Sequence, residues 1–312
     1  MKKKAFHVYQ NEFFDLYLAG KIAEALELID EIESNYPSKA FKTKYWEACI
    51  YSLKNKKKLA IKALKELENT GYWISPEVLL HDRDLENINN EPEYIEILNV
   101  FKKRQADAAK LSTPLKIELN PPAAGISSGK LPLIVALHWR MGDAEEFATL
   151  WKGAVENGRA RLLALQSSQQ VGTGMFCWDD VEIAKKEVKA QVQEYLNNNS
   201  SEISQLILGG ASQGAGLALE LALEDELKPE KLILVVPAFR DMNYIKELIK
   251  NNKNNFKVYI IAGEKDMLLK RAETVKELLT ENNIHCVMSI YPGMGHTFPE
   301  DFNKVLMNIL DE

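Results

Sequence analysis

The sequence predicts an α/β fold, a mostly parallel sheet flanked by helices on both faces, preceded by a small all-α domain. Three observations lead there. From about residue 111 to residue 312, apolar runs of strand length alternate with helical patterns. Before residue 110 the pattern is helical throughout, with no convincing period-two strand. Between the two regimes lies STPLKIELNPPAAGISSGK, with adjacent prolines and a glycine- and serine-rich turn. Alternation of Val-, Ile- and Leu-rich strands with helices implies strands buried on both faces. The expected domains are therefore residues 1–110, helical, and 111–312, α/β.

In the first domain, helices are expected at 11–18, 21–35, 40–53, 57–69 and 93–110, punctuated by Gly20, Pro37, Asn55, Gly71 and Pro76. Part of it repeats. Tyr17 and Tyr51 lie one tetratricopeptide period apart, and Ala25-Leu26 answers Ala60-Ile61 if one residue is inserted. Gly20, Ala25 and Pro37 match the turn glycine, packing alanine and terminal proline of that repeat, so residues 6 to 70 resemble a degenerate tetratricopeptide pair. An ordinary helical bundle is the competing reading. Two repeats are too few for a stable solenoid, so the module must lean on the residues C-terminal to it. Trp73, Leu79, Leu80, Leu85, Ile88, Tyr94 and Ile97 are expected to pack its last helices.

In the second domain an edge strand is expected at 115–119, with apolar runs after it at 131–137, 161–166, 203–208, 231–236, 256–261 and 285–291. Helical patterns fall at 145–157, 181–198, 213–226, 244–251, 269–282 and 301–310. In such a sheet, functional groups gather at the carboxyl ends of the strands.

Hydrophobic content of 46% and charge of 27% are those of a soluble globular protein. A net charge of −6 argues against a nucleic-acid partner, and the basic clusters at 2–4 and 56–58 read as solvated edges. No apolar stretch approaches a membrane span. The start MKKKAFHVYQNEFF imitates a signal peptide's basic region, but Gln10, Asn11, Glu12 and Asp15 interrupt any apolar core and no small-residue cleavage site follows. Cys49, Cys177 and Cys286 are odd in number and widely spaced, and read as free thiols in a reducing compartment. The expected location is cytoplasmic.

The feature that carries chemistry is Gly210-Ala211-Ser212-Gln213-Gly214, a Gly-x-Ser-x-Gly between a strand and a helix. The small neighbours let strand and helix pass closely around a strained serine. A serine hydroxyl needs a base to take its proton. Of five histidines, His7 and His81 fall in the helical module, His285 inside a strand and His138 at a strand's end. His296, in YPGMGHTFPED after the last strand, is the candidate base. The acid that holds its tautomer is assigned to Asp266, after the strand KVYIIAG, with Glu264 and Asp241 as rivals. An oxyanion hole requires two N–H groups, one from Gln213 and one from Trp139 or Arg140 in the loop after the first long strand. His138, Phe176, Trp178 and Phe239 are the expected substrate-binding side chains, with packing under the loop as the alternative for Phe176 and Trp178. No cofactor is expected: the glycines do not form Gly-x-Gly-x-x-Gly, and no His/Cys cluster has metal spacing.

LPLIVALHWRMGDA, GGASQGAGLAL, AGEKDML and GMGHTFPED, in that order, resemble the α/β-hydrolase superfamily, most closely its phospholipase/carboxylesterase and dienelactone-hydrolase branch. The likeness covers about residues 112 to 312. It implies that Ser212, Asp266 and His296 form a triad and that the protein hydrolyses esters or thioesters of small to medium acyl groups. One departure stands out. Where the family usually has His-Gly, this chain has His138-Trp139. The indole would rotate outward as a pocket wall, narrow the acyl site, or mark a weakened enzyme. Two other readings remain open: a serine peptidase whose helical domain limits access, and a hydrolase fold without turnover whose helical module binds a protein partner.

Overall fold

The computed structural model describes residues 4–122, 129–225 and 227–312. The glycine- and serine-rich turn at 123–128, Lys2 and Lys3 of the basic cluster, and Glu226 at the expected end of its helix lie outside them. The chain divides into two compact units, Met1–Ser112 with Gln170–Gly174, and Thr113–Gln169 with Met175–Glu312.

The first unit contains α1 (Phe6–Leu18), α2 (Ile22–Asn35), α3 (Ala40–Leu53), α4 (Lys57–Asn69), α5 (Pro76–His81) and α6 (Pro92–Ala109). Helix α1 starts earlier than expected because Phe6, Tyr9 and Phe13 fall on one face and are buried together against Ile29, Trp46 and Ile50. Phe13 and Trp46 stack at 4.5 Å. The two helical hairpins end their first helices alike. Gly20 and Asn55, both at positive φ, donate to Tyr17 O and Ser52 O, and the next residues, Lys21 and Lys56, donate to Leu16 O and Tyr51 O. Both are left-handed caps, a conformation open to glycine and, less readily, asparagine. Helix α5 was not expected, and it corrects one packing residue: Leu79 is fully buried, but Leu80, on its outer face, is 51% exposed.

Segment Gln170–Gly174 belongs to this unit through backbone pairing with 73–75. Ser75 N–H donates to Val171 O, Thr173 N–H to Trp73 O, and Trp73 N–H to the Thr173 hydroxyl.

The second unit is built on a seven-stranded sheet. Its elements are β1 (Leu115–Leu119), β2 (Leu131–Leu137), α7 (Ala144–Trp151), α8 (Gly153–Glu156) and β3 (Arg161–Gln166). The connection after β3 holds two short strands, β4 (Gln170–Gly172), part of the first unit, and β5 (Met175–Phe176). Then follow α9 (Val181–Asn199), β6 (Ile203–Ala211), α10 (Gln213–Leu223), β7 (Lys231–Val235), α11 (Met242–Asn251), β8 (Lys257–Gly263), α12 (Leu269–Glu281), β9 (Cys286–Tyr291) and α13 (Phe302–Asp311). The strand order is β1-β3-β2-β6-β7-β8-β9, and only β1 runs antiparallel.

Successive residues feed opposite faces. Leu133, Val135 and Leu137 of β2 join Val188, Leu219, Ile245 and Val275 from α9 to α12, whereas Ile134 and Ala136 join Phe147, Trp151 and Leu306 from α7 and α13. Both faces are covered, so the strands read as continuous apolar runs. The register brings the carboxyl ends level: Leu137 lies beside Gly210, Ala211 beside Val235, and Gly263 beside Tyr291. Among the described residues no helix is long and apolar enough to cross a membrane.

Candidate active site

Strand β6 ends at Ala211 and α10 begins at Gln213, so Ser212 alone makes the turn. Its backbone sits at φ 51°, ψ −116°, a conformation costing about 1–3 kcal/mol that persists only when its surroundings enforce it. Here they do. Ser212 N–H donates to Val235 O at 2.9 Å, and its carbonyl accepts from Ala238 N–H and Gly216 N–H. The flanking glycine is required by space: a Cβ on Gly214 would stand 2.2 Å from Leu137 O and 2.6 Å from His138 O. The half-buried serine thus sits at the carboxyl end of the sheet, level with the loop that follows β2.

His296 follows β9, and its Nδ1 donates to Asp266 Oδ2 at 2.9 Å. The other Asp266 oxygen accepts the Leu268 N–H at 2.9 Å, so the carboxylate is held from both sides. Its side chain is 2% exposed against 37% for the imidazole, which leaves the ring facing outward from a buried anchor. The two loops are joined along their backbones. Glu264 N–H donates to Tyr291 O and Lys265 N–H to Met294 O. A Cβ on Gly263 would lie 2.3 Å from both Met294 O and Gly295 O, so only glycine admits this approach. The rival acids are engaged elsewhere: Glu264 accepts from Gly293 N–H at 2.8 Å, and Asp241 caps α11 by accepting from Asn243 and Tyr244 N–H.

The loop after β2 turns sharply at Met141, φ 67°. It is pinned by Met141 N–H to Phe176 O and Phe176 N–H to Gly142 O. The Trp139 indole packs edge-on against Phe147 and Phe298, at 5.9 and 5.6 Å. Gln213 lies in the first turn of α10, where N–H groups have no carbonyl partner within the helix.

The expectation for the pocket needs correction at three of its four positions. His138 and Trp178 are 0% exposed and Phe239 is 2% exposed, so none of them presents a surface to a substrate; only Phe176 is half-buried. His138 is instead a packed strut. Its Nδ1–H donates to Trp139 O at 2.7 Å, Trp178 Nε1–H donates to His138 O at 2.8 Å, and the two rings stack at 4.7 Å. Burial pulls the His138 pKa down to about 4, against a smaller opposing effect of the Trp139 carbonyl, and keeps the ring neutral.

A second network joins this loop to the serine turn and was not anticipated. Asp179 receives Arg140 in a two-pronged pair, Nε to Oδ1 at 3.1 Å and Nη2 to Oδ2 at 3.0 Å. The same Oδ1 accepts from Gln213 Nε2 at 2.7 Å, while Gln213 Oε1 accepts from Trp178 N–H at 2.8 Å. Arg240 holds the Trp178 and Asp179 carbonyls with its guanidinium. Partial burial pushes the Asp179 carboxyl up, but the bonds from Arg140 and Gln213 outweigh it and leave its pKa below the usual carboxylate value. The sole hint in the sequence was position, a carboxylate beside Trp178 in a long loop.

Among the described residues one group of ligand-type atoms converges, Cys49, Asp82 and Asp84 in the helical unit. Cys49 Sγ–H donates to Asp82, Tyr45 donates to Asp82 and Tyr17 to Asp84. Their wide spacing hid this cluster from the sequence reading. Burial, then the neighbouring carboxylates, push the Cys49 thiol pKa well above its ordinary value.

Residues 5–109 match the family of A/B hydrolase-like N-terminal domains, and residues 155–308 match the dienelactone hydrolase family. No curated protein matches the sequence. Among solved structures, an uncharacterized protein from Bacillus cereus ATCC 10987 is 23% identical with a TM-score of 0.55, covering 99% of this chain and 98% of that one. Esterase PE8 is 19% identical with a TM-score of 0.55, over 64% of this chain and 98% of its own. The Bacillus cereus carboxylesterase is 17% identical with a TM-score of 0.50, over 66% and 98%. At these identities the structures speak for the fold, and the family matches fall on both of its units. The second unit has the α/β-hydrolase fold and is similar to the dienelactone hydrolase family, and the helical unit before it is similar to A/B hydrolase-like N-terminal domains.

Proposed function

We propose that the protein is a serine hydrolase that cleaves a carboxylic ester or thioester of a small or medium acyl group. The observation that carries this reading is a strained serine at the strand-to-helix turn, with a histidine–carboxylate pair on the carboxyl ends of nearby strands. With Nδ1 committed to Asp266, Nε2 is the nitrogen of His296 left to take the Ser212 proton. Ser212 Oγ attacks the carbonyl carbon as that proton leaves. The oxyanion is met by the N–H of Gln213 and the N–H of Trp139 or Arg140. His296 then protonates the leaving alcohol or thiol. Water, activated by the same imidazole, hydrolyses the acyl-enzyme and restores the serine. Asp266 orients the ring throughout and stabilises the imidazolium.

A fluorophosphonate probe and a panel of short-acyl p-nitrophenyl esters, thioesters and aminoacyl amides test this. The wild type is expected to be labelled at Ser212 and to turn over esters or thioesters faster than amides. Ser212→Ala is expected to lose labelling and at least about 10⁴-fold in rate, with folding intact. An unlabelled wild type would refute the proposal, and preference for amides would make it a peptidase.

A further inference from the structure

We propose that Asp179 is the positioning residue of the oxyanion hole, a single carboxylate that sets the spacing between its two halves. This rests on the serine-hydrolase reading above and deepens it. The donors come from separate segments, the first turn of α10 and the loop after β2, and the ladder between β6 and β2 ends at Gly210 and Leu137, short of both. Side chains make the link. Gln213, whose backbone N–H is one donor, has both ends of its amide fixed, by Asp179 and by the Trp178 N–H. Arg140, which with Trp139 is a candidate for the other donor, is fixed by a fork on the same carboxylate.

An exposed ion pair usually contributes little, and the Asp179 side chain is 43% exposed. This one differs in geometry. It is two-pronged, it shares an oxygen with Gln213, and its backbone is held by Arg240 from a third segment. Three segments thus meet at one residue: the loop after β2, the serine turn, and the loop after β7.

The arrangement also has an electrostatic side. A carboxylate near a developing oxyanion opposes it unless its charge is compensated, and the Arg140 guanidinium supplies that compensation. Removing Arg140 alone therefore does two kinds of damage: it frees the loop and leaves a bare negative charge beside the hole. Removing both residues does only the first.

The experiment compares Asp179→Ala, Asp179→Asn, Arg140→Ala and the Arg140→Ala/Asp179→Ala double variant of the full chain. The readouts are kcat and KM on the esters that the wild type hydrolyses, the rate of fluorophosphonate labelling, and thermal midpoints. Asp179→Ala is expected to lower kcat and the labelling rate about 10- to 100-fold, with KM changed less than about twofold. Asp179→Asn, which keeps an acceptor for Gln213, is expected to fall between it and the wild type. The double variant is expected to be faster than Arg140→Ala alone. Should Asp179→Ala not fold, Asp179→Asn and the double variant carry the same comparison. A wild-type kcat in a folded Asp179 variant, a loss confined to KM, or a double variant slower than Arg140→Ala would overturn the proposal. If Ser212 is labelled while these variants behave as the wild type, only the positioning role falls. If the wild type is neither labelled nor active, the serine-hydrolase reading falls and takes this one with it.

Discussion

Replacing Gly214 by alanine should damage catalysis more than stability, and the size of each effect comes from one contact. The new methyl would begin 2.2 Å from Leu137 O and 2.6 Å from His138 O. Ordinary contact requires those oxygens to recede by about 1 Å. Leu137 cannot move freely, because it lies in register with Leu165 on one side and Gly210 on the other. The displacement must then pass into the loop after β2, where Trp139 and Arg140 come next in the chain. Overpacking of this kind costs about 1–3 kcal/mol, and alanine's better helix propensity returns up to about 1 kcal/mol. The net change in stability is therefore small. A reacting group misplaced by about 1 Å can cost about 100-fold in rate. Gly214→Ala should keep its fold in urea titrations and lose about 100-fold in kcat on the best ester. Gly295→Ala, beside His296, is the control, because its Cβ would meet nothing within 4 Å. It should stay within about twofold of the wild type. A Gly214→Ala enzyme with wild-type kcat would refute the reasoning.

Asp266→Asn should lose about 10⁴-fold in kcat while the fold survives, because an amide selects the wrong imidazole tautomer; a pH–rate profile and a thermal melt check this. Asp241→Ala should do the reverse, losing a helix cap at about 1 kcal/mol with kcat unchanged, which separates the rival acids. His138 makes stability fall on acidification. Its folded pKa of about 4 lies below the ordinary 6.5, so below pH 6.5 the unfolded chain binds the proton first and stability drops until about pH 4. The loss from this residue reaches roughly 3 kcal/mol. Urea midpoints between pH 7 and pH 4.5 should shift less in His138→Asn than in the wild type, although that variant starts less stable.

Elements buried on both sides were the most legible. The strands at 131–137 and 161–166 have the expected bounds because residues 133–137 and 162–165 within them are buried, continuous apolar runs. Helix boundaries that depend on a distant neighbour were not. A single helix was expected at 145–157, but the chain breaks between α7 and α8, where Gly153 lies against the Asn303 side chain. Ser212 was readable from local pattern, since its turn is made by adjacent residues. The candidate acid was narrowed to three carboxylates, and of these Asp266 is the one hydrogen-bonded to His296, which only distance reveals. Asp179 was marked only by its place beside Trp178, because its partners stand at positions 140, 213 and 240. The substrate-side aromatics were misjudged for a related reason: a side chain near a functional loop can equally be the strut that holds it.

The Trp139 indole lies against Phe298, two residues past His296, with Phe147 as a shared neighbour. The loop expected to receive charge and the loop bearing the proposed base therefore rest on one cluster of rings. Over evolutionary time these positions are not free to drift singly. A smaller residue at 139 opens a hole that 298 or 147 must fill, and a change at 298 reaches the serine's surroundings through the ring it supports. Relatives with a glycine at 139 should carry compensating bulk at 147 or 298, and libraries that vary these three sites together should recover activity that one-at-a-time replacement misses.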